Sequence, residues 1–132
     1  ATPAGLDTTL GDALLAPHRS YLELLRPALD RGLVKALAHL TGGGVFDNLP
    51  RVLPEDCAAD IERAAWPVSP LFQLIAEVSG LPDDELFRTF NMGVGLMIVC
   101  DPQDESALRD AIKEPLFFLG HLTAGPRGVR MV

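Results

Sequence analysis

A layered α+β sandwich is the fold class this sequence predicts, and three observations predict it. Strand-sized apolar runs alternate with helix-periodic ones, each bounded by glycine or proline. The 132 residues suit one domain with an ordinary core, since domains cluster at about 100–150 residues. No repeat, linker or low-complexity tract divides the chain. A single domain over 1–132 is therefore expected, with one mixed sheet of about four to six strands flanked by helices.

The elements follow in order. "TTLGDALLAP" (8–17) is a short strand-like run that Pro17 stops. Pro17 also suits a helix start, and Tyr21, Leu22, Leu25 and Leu29 then recur at helical spacing, with Pro27 expected to end or kink that helix. "LVKALAHLT" (33–41) predicts a half-buried strand, and "FDNLPRVLP" a short helix closed by Pro54. "CAADIERA" (57–64) is assigned to a strand because turn signals flank it. "SPLFQLIAEVSG" (69–80) is a helix with Ser69 as cap, Pro70 as first residue and Gly80 as stop. "PDDELFRTF" (82–90) starts another, where Asp83, Asp84 and Glu85 suit the positive end of the helix dipole and are not a metal site. "NMGVGLMIVC" (91–100) predicts a buried strand, "DPQDESALRDAIKE" (101–114) a solvent-side helix, and "PLFFLGHLTAG" with "RGVRMV" two strands joined by the turn "AGPRG".

Composition narrows the function. The net charge of −7 and pI of about 4.8 argue against non-specific binding to nucleic acid or an anionic membrane. The longest apolar run, "VGLMIVC" (94–100), is far short of the roughly 18–20 residues that span a bilayer. No basic start followed by an apolar block marks a signal peptide. Cys57 and Cys100 form no CxxC pattern, which fits reduced thiols and a cytoplasmic location. A start at Ala1 without methionine suggests a piece of something longer.

The chemistry-bearing stretch is "HLTGGGVFDNLPRVLP" (39–54). A glycine-rich joint ahead of a helix can expose successive N–H groups to a phosphate or carboxylate. It can equally be a tight turn, and spacing alone leaves both readings open. No Lys follows the glycines, so it is not a Walker A loop, and "GVG" (93–95) lacks the third glycine of a dinucleotide fingerprint. His39 and Thr41 share one strand face beside Gly42, Gly43 and Gly44, and the charge of a histidine can change near neutral pH. Asn48 lies one helical turn beyond Gly44, where it either faces the same opening or serves local hydrogen bonding. Asn91 either caps a turn or points into a cleft. Gly93 and Gly95 leave one strand face bare for a ligand or a packed backbone. Arg88 serves a helix dipole or a site, Arg19 belongs to a helix surface, Tyr21 to the core, and Trp66 to an interface or the core. No Ser–His–Asp order, zinc spacing or paired-carboxylate motif is present.

Longer motifs carry a resemblance. "AHLTGGGVFDNLPRVLP" (38–54) followed by "LFRTFNMGVGLMIV" (86–99) resembles the C-terminal domain of the phosphoribosylformylglycinamidine cyclo-ligase family, also called aminoimidazole ribonucleotide synthetase. "LLAPHRSY" (14–21) is similar to the family's "LLxPTxxY", with His18 in place of the usual threonine, and "GPRGVRMV" (125–132) resembles its tail. Selenophosphate synthetase and thiamin-monophosphate kinase belong to the same superfamily.

The resemblance implies ATP-dependent ring closure of formylglycinamidine ribonucleotide in purine synthesis, through phosphorylation of the formyl oxygen. It implies ATP and Mg²⁺ as cofactors, held by elements of an N-terminal domain that has no counterpart here, and a homodimer at full length. Residues 1–132 would be the C-terminal half of a two-domain enzyme, inactive alone, binding a small-molecule nucleotide at the cleft between halves. Its implied share of the site is His39 as acid/base candidate, Thr41, Gly42, Gly43, Gly44 and Asn48 on one wall, and Arg88, Asn91, Gly93 and Gly95 on the other; no metal ligand is expected in this half. The rival reading is a folding or dimerisation module without catalysis.

Overall fold

The computed structural model describes residues 2–132. Helices α1 (Leu10–Leu15) and α2 (Leu22–Asp30) precede strand β1 (Ala36–His39). Helix α3 (Gly44–Asn48) runs into a 3₁₀ turn (Leu49–Val52), and strand β2 (Cys57–Ile61) follows. Next come α4 (Pro70–Ser79), α5 (Asp83–Thr89), β3 (Leu96–Val99), α6 (Glu105–Ala111), β4 (Gly120–Ala124) and β5 (Gly128–Met131). The α+β class is as expected, but among the described residues the five strands form two sheets instead of one.

The first sheet is an antiparallel ribbon of β1 and β3, pairing Ala36 with Val99 and His39 with Leu96. Strand side chains alternate between faces, and each face of this ribbon supplies a different core. Ala38 and Met97 point to a cluster with Leu40, Val45, Leu49, Ala59, Trp66, Leu86 and Phe87. Leu37, Leu96 and Ile98 point the other way, onto Leu25 and Ala28 of α2 and Leu108 and Ala111 of α6. His39 thus belongs to the face of the second core, at the open end of β1, where it is exposed.

In the second sheet β2 lies between β4 and β5, antiparallel to the former and parallel to the latter. The turn "AGPRG" therefore does not close a hairpin. It crosses the start of β2, donating from Gly125 N and Arg127 N to the carbonyls of Asp56 and Glu55, both at 3.0 Å. Those bonds let β2 insert between strands that are neighbours in sequence.

Four local expectations are corrected. Residues 10–15 form a helix, not a strand, because Thr9 Oγ1 accepts from Asp12 N at 3.1 Å and caps it. Pro27 does not end α2, which continues to Asp30. Its ring lies on the solvent side, while Leu25 and Ala28 hold the other side of the helix against α6. Ser69 occupies the cap position of α4 without a side-chain cap bond, although Pro70 at the start and left-handed Gly80 at the end behave as expected. Residues 91–95 are a turn rather than the start of β3, since Asn91 Oδ1 accepts from Gly93 N at 2.9 Å and Met92 takes φ +51°.

Candidate functional site

The glycine run joins β1 to α3, and the structure shows why two of its three glycines are there. Gly44 is buried at φ +56°, and a Cβ on it would lie 2.0 Å from the Phe87 carbonyl oxygen and 2.5 Å from that of Phe90. Only a bare Cα lets α5 approach α3 this closely. Gly43 also needs the left-handed region, at φ +93°. Around Gly42, by contrast, a Cβ would meet nothing within 4 Å.

The expected open cradle of three amides is corrected. Gly43 N donates to the Thr89 carbonyl at 3.4 Å and Gly44 N to the Thr41 carbonyl at 3.1 Å, so both are turned inward. Among the described residues, the Gly42 amide alone of the three has no backbone acceptor. Asn48 does not face an opening either. It is 5% exposed, and its amide nitrogen donates to Gly44 O at 2.8 Å while lying 3.3 and 3.4 Å from the carbonyl oxygens of Gly42 and Thr41. Its physical role is to tie the carbonyls of the bend together from inside. Thr41 and Gly42 stay exposed at the tip.

Leu40 organises what surrounds the bend. Its N–H donates to Gly95 O at 2.9 Å, and its carbonyl oxygen receives Asn91 Nδ2 at 3.4 Å and His18 Nε2 at 3.2 Å. His39 Nε2 then lies 3.2 Å from His18 Nδ1, with the two rings edge to face and their centroids 4.2 Å apart. Tyr21 completes the group at 6.1 Å from His18 and 6.4 Å from His39, centroid to centroid. The reason for Gly95 becomes visible here, since a Cβ on it would come within 1.9 Å of Tyr21 Oη and 3.1 Å of His18 Cε1.

The structure therefore brings His39, Asn91 and Gly95 together around Leu40, with Thr41 and Gly42 next in the chain. Arg88 stands apart, its guanidinium 4.2 Å above the Phe46 ring of α3. Gly93 and Gly95, with Tyr21, line an apolar groove of about 890 Å³ that does not include His39. His18 and Tyr21 were missed as partners of His39, and only the "LLAPHRSY" motif could have drawn attention to them.

Charge around the cluster is local. Arg19 forms an ion pair with Glu114, whose carboxyl is held below the usual range by that hydrogen bond, while the guanidinium is raised by the same partner. Burial, followed by repulsion from Glu105, Asp104 and Asp101, pushes the Cys100 thiol up, away from thiolate character. Among the described residues, no group of three His, Cys, Asp or Glu side chains could hold a metal ion, and no helix is long and apolar enough to cross a membrane.

Residues 2–132 match the family described as AIR synthase related protein, C-terminal domain. The chain belongs to that family. Among its relatives, the phosphoribosylformylglycinamidine cyclo-ligase of Bifidobacterium longum subsp. infantis is 40% identical over 126 residues, 93% of this chain and 36% of that protein. The enzyme of the same name from Geobacillus thermodenitrificans is 40% identical over 123 residues, 91% of this chain and 36% of that protein. The chain thus spans little more than a third of these relatives. In fold it is similar to a crystal structure of E. coli HypE, a hydrogenase maturation protein, with a TM-score of 0.65 and 23% identity over 93% of this chain and 41% of that one.

Proposed function

We propose that this chain is the C-terminal half of an ATP-dependent cyclo-ligase that closes the imidazole ring of aminoimidazole ribonucleotide from formylglycinamidine ribonucleotide. The observation that carries the reading is the 40% identity over 93% of this chain to a protein bearing the cyclo-ligase name. In this reaction the formyl oxygen is phosphorylated, an amidine nitrogen attacks that carbon, and phosphate leaves. An amide-like oxygen is a poor leaving group until it is phosphorylated, so catalysis rests on positioning and on proton transfer.

The residues here do not fit Mg²⁺, since no metal-holding cluster exists among those described. The inward amides of Gly43 and Gly44 likewise offer no nucleotide-phosphate cradle. ATP and metal are accordingly assigned to the partner half, with a cytoplasmic homodimer as the complete enzyme. This half contributes the exposed His39 imidazole, the Thr41 hydroxyl and the Gly42 N–H, all displayed at the end of β1. His39 is the group able to take the proton that the attacking nitrogen loses. Asn48 and Gly44 keep that edge in place from within.

His39→Ala in the full-length enzyme tests the reading. The expected result is a loss of about 10²–10⁴-fold in kcat/KM, the usual worth of general acid–base catalysis. Residues 1–132 alone are expected to show no ATP-dependent turnover. Full activity of His39→Ala would remove His39 from the mechanism, and the internally bonded glycine bend would then favour a scaffolding role for this half.

A further inference from the structure

Two imidazoles meet beside the glycine bend, and the backbone decides which way their protons point. His18 Nε2 lies 3.2 Å from the Leu40 carbonyl oxygen. A carbonyl oxygen only accepts, so His18 Nε2 carries the proton, and in the neutral ring Nδ1 is left as an acceptor. His39 Nε2, 3.2 Å from that Nδ1, must then be the donor. The lone pair of His39 is left on Nδ1, which has no partner among the described residues. The opposite direction would set two acceptors face to face at the part-buried Leu40 carbonyl. The Arg19 carbonyl, 3.4 Å from His18 Nδ1, is the longer contact and is exposed, so water can satisfy it, whereas the part-buried Leu40 carbonyl has the shorter claim on the ring's proton. Leu40 cannot swing away to reverse the chain, because it is 1% exposed and its own N–H is bonded to Gly95 O.

We infer that His18 is a positioning residue that holds His39 in the Nε2–H tautomer, so that His39 offers the lone pair of Nδ1 to its ligand. This deepens the proposed function and rests on its reading of His39 as the group that meets substrate. The ligand atom that suits such a nitrogen is an N–H or O–H donor, such as an amidine nitrogen. A phosphate oxygen would meet lone pair with lone pair. The geometry thus assigns His39 to the nitrogen end of a substrate and leaves its phosphate to other groups.

Long-range nitrogen–proton correlation spectra of the histidine rings, recorded on the full-length protein above the ordinary imidazole titration range, test this. The wild type is expected to show His39 as a single Nε2–H tautomer. His18→Phe, which cannot accept a hydrogen bond, is expected to give a mixture of tautomers and a kcat/KM lower by about two- to tenfold, the worth of one hydrogen bond. His18→Asn, whose side-chain oxygen can accept from His39, should restore the single tautomer and most of the rate. An Nδ1–H tautomer in the wild type, or an unaltered His39 spectrum in His18→Phe, overturns the inference. Full activity of His39→Ala alongside the expected spectral change would sink only the catalytic reading of His39 and leave the tautomer assignment standing.

Discussion

Replacing Gly44 by alanine adds one carbon at the tightest point of the bend. That Cβ would lie 2.0 Å from the Phe87 carbonyl oxygen and 2.5 Å from that of Phe90, both backbone atoms. Neither can rotate aside, so α5 must shift relative to α3, at a cost of about 1–3 kcal/mol for overpacking. The φ of +56° adds about 1–2 kcal/mol of left-handed strain for an L side chain. Together these amount to about 2–5 kcal/mol against a typical total of about 5–15 kcal/mol. For a domain of this length, about 3–4 °C of Tm is lost per kcal/mol, so the expected drop is about 6–20 °C by differential scanning calorimetry. Gly42→Ala is the internal control, because a Cβ there meets nothing within 4 Å and φ is not in the left-handed region. It is expected to change stability by less than about 1 kcal/mol in either direction. Equal melting temperatures for the two variants would refute the argument that the run exists for close approach.

Two further outcomes follow from the same geometry. Asn48→Ala removes the donor from the buried carbonyls of the bend and should cost about 1–3 kcal/mol in urea denaturation. Asn48→Asp should cost more at neutral pH, since a carboxylate has no proton to offer those oxygens, and part of the loss should return in acid; a neutral effect would mean that the amide is not what ties the bend. Glu114 gives a prediction in pH. Its carboxyl is held below the ordinary range by Arg19, so the pair's contribution is fully present above the unfolded carboxyl's value and is lost as pH falls through the depressed folded one. The Tm advantage of wild type over Glu114→Gln should therefore shrink toward zero on acidification, and an advantage that persisted in acid would rule the ion pair out as its source.

What could be seen from sequence followed physical range. Pro70 and Gly80 delimit α4 by local backbone chemistry, and the alternation at Leu37, Ala38, His39 and Leu40 shows β1 through burial period. The insertion of β2 between β4 and β5 was not legible, because it depends on carbonyls at Glu55 and Asp56, some seventy residues from the turn they hold. The helix at Leu10–Leu15 was missed although its signal was local, a Thr9 cap three residues before Asp12. At the candidate site, the importance of the glycine bend was legible and its direction was not. The Gly43 amide is drawn inward by the Thr89 carbonyl at the end of α5, which no local pattern reveals, while the Gly44 amide closes a turn onto Thr41. The meaning of His18 was not legible, because it depends on a contact with His39 across twenty-one positions.

The Leu40 peptide unit gathers segments that are strangers in the chain: His18 and Asn91 bind its oxygen, and Gly95 takes its hydrogen. A single planar amide therefore works as a surveyor's datum, from which a ring, a turn and a strand entry all measure their positions. A substitution anywhere along those segments that moves this datum shifts the whole arrangement in concert.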